Sequence, residues 1–369
     1  MWKTLIKPKE QILSITPYSP GKPIEEVKRQ FQLDEVIKLA SNENPYGPSK
    51  RVREAILAEL ENINLYPEGI PFDLREAVAS FYNIEAERII FGNGADELIS
   101  LICRTFLKPG DAAVMADVTF AEYLTYTIVE GATPVRVPLT PDGVHDLEGM
   151  LAAINERTKL VWVCNPNNPT GTYVNQEDLL RFLERVPKHV LVIVDEAYAE
   201  YVTAEDYPQT LTFLDQYPNL MVLRTFSKIY SLAALRIGYG FASKEIIDWM
   251  NRIREPFNTS RIAQKAALAA LADQEHVQVC HQKNKEGKEF LYRELNRLNI
   301  RYFPSETNFV MVDLGQPARP VFEALLRQGV IVRAGDALGL PNGLRITIGT
   351  LEQLDKLVNL MAGLVNLER

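Results

Sequence analysis

The sequence predicts an α/β protein: a large domain with a mainly parallel central sheet flanked by helices, followed by a smaller α+β domain. Three observations carry this expectation. Between about Arg88 and Ser243, short β-rich runs alternate with segments whose apolar residues recur at helical spacing. Beyond Pro256 that alternation gives way to a long helical stretch and a few short strands. The chain has 369 residues, 46% hydrophobic and 24% charged, enough for about two domains with ordinary globular cores.

Taken in order, residues 1–40 carry no long periodic element and are expected to form an arm packed on the smaller domain. Residues 41–256 form the large domain. Its strands read as Ile89-Ile90-Phe91, Ala112-Ala113-Val114-Met115, Val135-Arg136-Val137, Leu160-Val161-Trp162-Val163, Val190 to Val194 and Met221-Val222-Leu223. The segments Asp96 to Ile102 and Glu177 to Leu183 have the apolar spacing of helices between them, so helices should cover both faces. Residues 257–369 form the smaller domain, with a helical stretch from about Arg261 through Leu298 and a helix near Pro320 to Arg327. Asn308 to Leu314 is a further segment of this part, and short strands are expected at Val330 to Val332 and Leu344 to Ile348.

Composition excludes several function classes. Forty Lys and Arg against 48 Asp and Glu leave a net charge of −8, which argues against a face built for nucleic-acid backbones or anionic membranes. Apolar runs such as Leu191-Val192-Ile193-Val194 fall far short of the roughly 20 residues of a bilayer span. The segment Met1 to Pro8 lacks the apolar stretch of a secretory signal, and Cys103, Cys164 and Cys280 form no CxxC pair. A reducing, cytoplasmic setting is expected, with the three cysteines as packing residues. No metal is expected: His276 and Cys280 are spaced i, i+4, but their companion His281 does not share their helical face. His145 and His189 sit near turns and suggest no role.

In an open parallel sheet, ligands bind beyond the carboxyl ends of the strands. Three strands end in polar groups: Asn165-Pro166-Asn167-Asn168 follows one, Asp195-Glu196-Ala197-Tyr198 the next, and Thr225-Phe226-Ser227-Lys228 the third. Lys228 taken alone reads as a snorkelling surface lysine. Ser227 beside it and Arg236 eight residues on can hold a phosphate, however, and Asp195 is costly to bury unless a cation such as a protonated pyridine nitrogen pairs with it. Phe91-Gly92-Asn93-Gly94-Ala95-Asp96-Glu97 opens a helix. It reads either as a phosphate-binding turn or as a tight turn with Asp96 as a helix-terminal charge. Gly92-x-Gly94 lacks the third glycine of GxGxxG, whose place Glu97 takes, and no GxxxxGK(S/T) occurs.

In their order, Asn165-Pro166-Asn167-Asn168-Pro169-Thr170-Gly171, Asp195-Glu196-Ala197-Tyr198, Ser227-Lys228 and Leu235-Arg236-Ile237-Gly238 resemble the motifs of fold-type I pyridoxal 5'-phosphate (PLP) aminotransferases. Leu39 to Pro48, Tyr66-Pro67-Glu68, Gly92 to Glu97 and Leu344 to Thr350 are similar to histidinol-phosphate aminotransferases, and the resemblance covers essentially the whole chain. It implies that Lys228 forms the Schiff base with PLP and carries the proton. It further implies that Asp195 pairs with the pyridine nitrogen, while Tyr198 and Asn168 hydrogen-bond the phenolic oxygen. The phosphate would be held by the backbone amides of Ala95 and Asp96, by Thr225, Ser227 and Arg236, and by Tyr66 from a second subunit of a homodimer. Phe120 matches the aromatic residue that stacks on the ring, a place where the family often has Tyr.

On the substrate side, the resemblance makes Arg345 the anchor for a carboxylate or phosphate and Arg333 a second phosphate contact, with Tyr18 and Asn42 contributing to the pocket. Arg333 also reads as a solvated strand-end charge. The implied reaction, in histidine biosynthesis, moves an amino group between L-histidinol phosphate and 2-oxoglutarate, giving imidazole acetol phosphate and glutamate. Two other enzymes resemble the same scaffold, an aromatic amino-acid aminotransferase and a threonine-phosphate decarboxylase. A PLP-binding DNA regulator is disfavoured, since only 40 residues precede Ser41-Asn42-Glu43-Asn44 and the charge is acidic.

Overall fold

The computed structural model describes residues 6–17 and 21–365. Seven strands form the large sheet, in the spatial order Ile89–Gly92, Gly238–Phe241, Leu220–Thr225, Leu191–Asp195, Thr158–Cys164, Ala112–Ala116, Thr133–Val137. The five strands from Leu220–Thr225 onward are mutually parallel, and Gly238–Phe241 lies antiparallel to both of its neighbours. Side chains alternate along each strand. Val161, Val163, Val192, Val194 and Val222 enter one core, while Leu160, Trp162, Leu191, Ile193 and Met221 enter the other. With both faces covered, the strands read as continuous apolar runs. The helix Gln176–Arg185 packs Leu179, Phe182 and Leu183 on the first face; Ala95–Phe106 and Lys244–Asn251 cover the second.

The helical stretch expected from Arg261 to Leu298 is divided in two. Asp273 accepts a hydrogen bond from the His276 N–H and starts a new helix, Gln274–Arg297, directly after Arg261–Leu271. The first helix buries Ala263, Ala266, Ala267, Ala270 and Leu271 in the core of the large sheet, against Lys50–Glu59 and Phe72–Tyr82. The boundary expected at residue 257 therefore falls ahead of a helix that packs with the large domain: the sequence texture changes where the strands stop, but the packing changes one helix later. The second helix spans both parts, with Val277 and Cys280 in the large core and Leu291 and Leu295 in the small one.

The smaller domain holds an antiparallel sheet in the order Arg333–Ala334, Gly343–Thr347, Phe309–Asp313, Arg301–Tyr302. The strand expected over Val330 to Val332 is split between two ladders. Val330–Ile331 pairs in parallel with Ile37–Lys38 of the arm, and Arg333–Ala334 joins the four-stranded sheet. The arm contains a helix that its sequence did not announce, Ile24–Phe31, whose Val27 packs with Leu326 and Ile331. No helix among the described residues is long and apolar enough to cross a membrane. Cys103, Cys164 and Cys280 are free and buried.

Candidate active site

At the carboxyl ends of the strands finishing at Cys164, Asp195 and Thr225, a cavity of about 260 Å³ opens. Its floor is Asp195, which is 4% exposed and lies in register beside Cys164 on the neighbouring strand. The Tyr123 hydroxyl donates to Asp195 Oδ2 at 2.6 Å, and the Ala197 N–H donates to Oδ1 at 3.2 Å. Burial pushes the Asp195 carboxyl up to about 6; the two hydrogen bonds act against that, and the charges of Asp96 and Glu196 add to it. Among the described residues no cation forms an ion pair with it.

Lys228 follows the next strand, its Nζ 5.5 Å from the centroid of the Tyr198 ring. Burial brings the amine down to about 8; Arg345 and Arg236 act in the same direction, and Asp96 and Glu43 act against it. An amine in that range keeps a usable neutral fraction near neutral pH, which a nucleophilic lysine requires.

One end of the cavity is a cradle for an anion. Gly94 turns at φ +81° into the helix Ala95–Phe106, and a Cβ there would run into the Arg236 guanidinium. Arg236 donates to Asp96 Oδ2 at 3.0 Å and to Ser227 Oγ at 3.5 Å, and Thr225 Oγ1 accepts the Ser227 N–H at 3.0 Å. Asp96 is a charge at the helix start, ion-paired with Arg236, and Ala95, Ser227 and Arg236 line the same end of the cavity.

Phe120 stands in the wall, its ring edge-on to Tyr123 with centroids 5.7 Å apart. From the smaller domain comes Arg345, 6% exposed, whose Nη1 donates to Asn168 Oδ1 at 2.5 Å and whose Nη2 donates to the Ala40 carbonyl at 2.8 Å. Asn42, from the loop after the arm, donates through Nδ2 to the Tyr198 hydroxyl at 2.9 Å.

The cavity thus brings together Asn42, Ala95, Asp96, Phe120, Asn168, Asp195, Tyr198, Thr225, Ser227, Lys228, Arg236 and Arg345. It does not include Arg333, which faces Arg345 across the strand ladder, half-buried. Tyr66 lies away from it, 80% exposed and stacked on Phe257 at 4.9 Å. Tyr18 lies outside the described residues. Sequence reasoning missed Ser41, Glu122, Cys164 and Ala197 in the lining, and the bond from Tyr123 to Asp195 beneath it. Tyr123 lies three residues after Phe120, at the start of the helix Ala121–Val129. Its ring stacks on Trp162 at 4.6 Å in the core while its hydroxyl serves Asp195. His145 is also more than a turn residue: it is buried, with Nε2 3.1 Å from Asn167 Oδ1. Cys280 Sγ lies 3.5 Å from His276 Nε2, but no group of three or more His, Cys, Asp or Glu among the described residues could hold a metal.

A buried carboxylate without a cation, a lysine drawn down to about 8, an aromatic wall and an anion cradle together complement a flat aromatic aldehyde with a basic ring nitrogen and a phosphate arm. PLP has those features. Residues 34–360 match the family model of aminotransferase class I and II. A histidinol-phosphate aminotransferase of Geobacillus sp. (strain WCH70) is 53% identical over 351 residues, 95% of this chain and 96% of that protein. One of Bacillus subtilis (strain 168) is 51% identical over 354 residues, 96% of this chain and 98% of that one. The crystal structure of histidinol-phosphate aminotransferase from Sinorhizobium meliloti in complex with pyridoxal-5'-phosphate superposes with a TM-score of 0.90 at 28% identity, covering 99% of each chain. The chain belongs to the aminotransferase class I and II family.

Proposed function

We propose that the protein is a PLP-dependent transaminase that moves the amino group between L-histidinol phosphate and 2-oxoglutarate in histidine biosynthesis. The observation that carries the chemistry is that Asp195, buried without a cation, and Lys228, an amine near 8, face one cavity beside the Arg236 cradle. The substrate assignment is supported by the name shared by the relatives and by Arg345, whose fork suits either a phosphate or a carboxylate.

When bound, PLP supplies a carbonyl that condenses with amines and a ring that takes up the electron pair left on the α-carbon when its proton departs. Ionised Asp195 keeps the ring nitrogen protonated, with Tyr123 and the Ala197 amide holding the carboxylate in place. Tyr198 and Asn168, which line the cavity, would attend the phenolic oxygen, and Phe120 would pack on the ring. Arg236, Ser227, Thr225 and the amides of Ala95 and Asp96 would hold the phosphate. Lys228 Nζ would hold and move the α-proton. Arg345, which lines the same cavity as Lys228, would orient each substrate by its anion in both half-reactions.

The working unit is a homodimer in which Tyr66 reaches the partner's phosphate cradle; Leu57, Leu60, Ile63, Leu65, Ile70 and Phe72, in the same stretch as Tyr66, are all exposed apolar side chains suited to an interface. The setting is cytoplasmic, where three free thiols are stable.

Borohydride reduction of the PLP-loaded protein followed by peptide mapping should place the pyridoxyl group on Lys228, and Lys228→Ala should fold yet fail to transaminate. A label on another lysine ends the assignment. Purified protein should turn over histidinol phosphate with 2-oxoglutarate faster than phenylalanine or tyrosine, and release no CO₂ from phosphothreonine. Preference for an aromatic amino acid, or CO₂ release, would transfer the protein to one of the sibling activities.

A further inference from the structure

We propose that Thr347, contributed by the smaller domain, is a positioning residue that fixes Tyr198 as a hydrogen-bond donor toward the cavity. The proposal rests on the assignment of Tyr198 to the phenolic oxygen of the cofactor. Its basis is the direction of three hydrogen bonds. The Asn42 backbone N–H donates to Thr347 Oγ1 at 3.0 Å, the Thr347 hydroxyl donates to Asn42 Oδ1 at 3.0 Å, and Asn42 Nδ2 donates to the Tyr198 hydroxyl oxygen at 2.9 Å.

A side-chain amide can be turned over with little steric change, exchanging its oxygen and nitrogen. Turned over, Asn42 would offer its oxygen to Tyr198, whose proton would then be spent on Asn42. Thr347 decides between the two arrangements. Its oxygen accepts the Asn42 backbone N–H and its hydroxyl hydrogen goes to Oδ1 of the Asn42 amide; turning the amide over would take that acceptor away and strand a buried hydroxyl hydrogen. Nδ2 is thereby directed at Tyr198. Tyr198 receives that proton on its oxygen and keeps its own O–H, for which no acceptor exists among the described residues, on the cavity side where Lys228 lies 5.5 Å from the ring centroid.

The surroundings hold this chain of donors rigid. Asn42 sits at φ +56°, with its carbonyl accepting Asn308 Nδ2 at 3.0 Å. Thr347 is pinned in the strand Gly343–Thr347, with its N–H donating to the Leu39 carbonyl at 2.9 Å. Asn42, Tyr198, Asn308 and Thr347 are each 3% exposed or less, so water cannot substitute for a missing hydroxyl. Thr347 lies two residues from Arg345 on that strand, and so on the same face. One edge of the smaller domain thus anchors the substrate and sets the proton direction at Tyr198.

The test uses the full-length, PLP-loaded protein and the pH midpoint of its near-visible absorption, which reports the proton held near Lys228 and the phenolic oxygen. A donor to that oxygen favours the form in which it carries more negative charge, so losing the donor raises the midpoint. Tyr198→Phe should raise it by about one pH unit. Thr347→Val should raise it in the same direction, Thr347→Ala likewise without the added methyl group, and Thr347→Ser should restore the wild-type midpoint. Thr347→Val combined with Tyr198→Phe should add nothing to Tyr198→Phe alone. The charged groups around Lys228, namely Arg345, Asp96, Glu43 and Arg236, with Asp195 below, are kept in every variant. An unmoved midpoint in Thr347→Val and Thr347→Ala, while Tyr198→Phe moves, overturns the role of Thr347. A Thr347 effect that persists undiminished on Tyr198→Phe overturns it as well. An unmoved midpoint in Tyr198→Phe overturns instead the assignment of Tyr198 on which the proposal stands.

Discussion

Replacing Tyr123 by Phe removes a single oxygen from a fully buried ring and leaves its stack on Trp162 in place, so its effect should concentrate on Asp195. A hydrogen bond to a charged group contributes about 1.5–3 kcal/mol and one to a neutral group about 0.5–1.5. The difference, roughly 1–1.5 kcal/mol, corresponds to about one pH unit. In the cofactor-free protein, Asp195 should then ionise near pH 7 instead of about 6. Both values lie above the roughly 3.9 of an unfolded Asp, so the stability this group contributes is complete below about pH 4 and is lost as pH rises through the folded value. In the wild type the loss is finished soon after pH 6, whereas in the variant it continues to about pH 7. Tyr123→Phe should therefore be less stable by about 1 kcal/mol at pH 5, where Asp195 is protonated in both proteins, and the gap should widen by a further 1–1.5 kcal/mol by about pH 8. Thermal unfolding of the cofactor-free pair across that range measures it. A gap that stays constant with pH would show that Tyr123 stabilises the core without touching the ionisation of Asp195.

Arg345→Lys replaces a fork that already bonds Asn168 and Ala40 with a point charge. Single-turnover conversion of histidinol phosphate and of glutamate should both slow, by about tenfold to a hundredfold; an unimpaired variant would sink the shared anion pocket. Arg333→Ala should weaken histidinol phosphate roughly tenfold more than glutamate, and equal losses would remove Arg333 from the phosphate end. Mixing Lys228→Ala with Tyr66→Phe subunits should give hybrid dimers with one intact site and activity above either parent. A fully active monomer in sedimentation would contradict the shared site.

The places of Asp195 and Lys228 at strand ends were legible because a parallel strand buried on both faces reads as an apolar run, and the residue that ends the run marks the end of the strand. Tyr123 was not, because a tyrosine on a helix carries no mark of the strand end it meets; that depends on Cys164 and Asp195 being neighbours in the sheet. Thr347 was hidden for the same reason, since its partner Asn42 is 305 residues away. The break at Ala272-Asp273 escaped notice because the alanine-rich sequence before it favours helix throughout, and only the capping carboxylate announces the new start. The arm helix, eight residues long, is held by Leu326 and Ile331, and residues so distant in sequence leave no local trace.

The helix Gln274–Arg297 acts as a lever. Its 24 residues span about 36 Å, rooted at one end beside Val277 and Cys280 in the large core and at the other beside Leu291 and Leu295 under the small sheet. A tilt of only about 5° at the Asp273 end would carry the far end through about 3 Å, comparable with the length of a hydrogen bond. The strand that carries Arg345 shares its core with Leu291 and Leu295, so where Arg345 stands over the large sheet depends on the angle at which this helix leaves Ala272-Asp273.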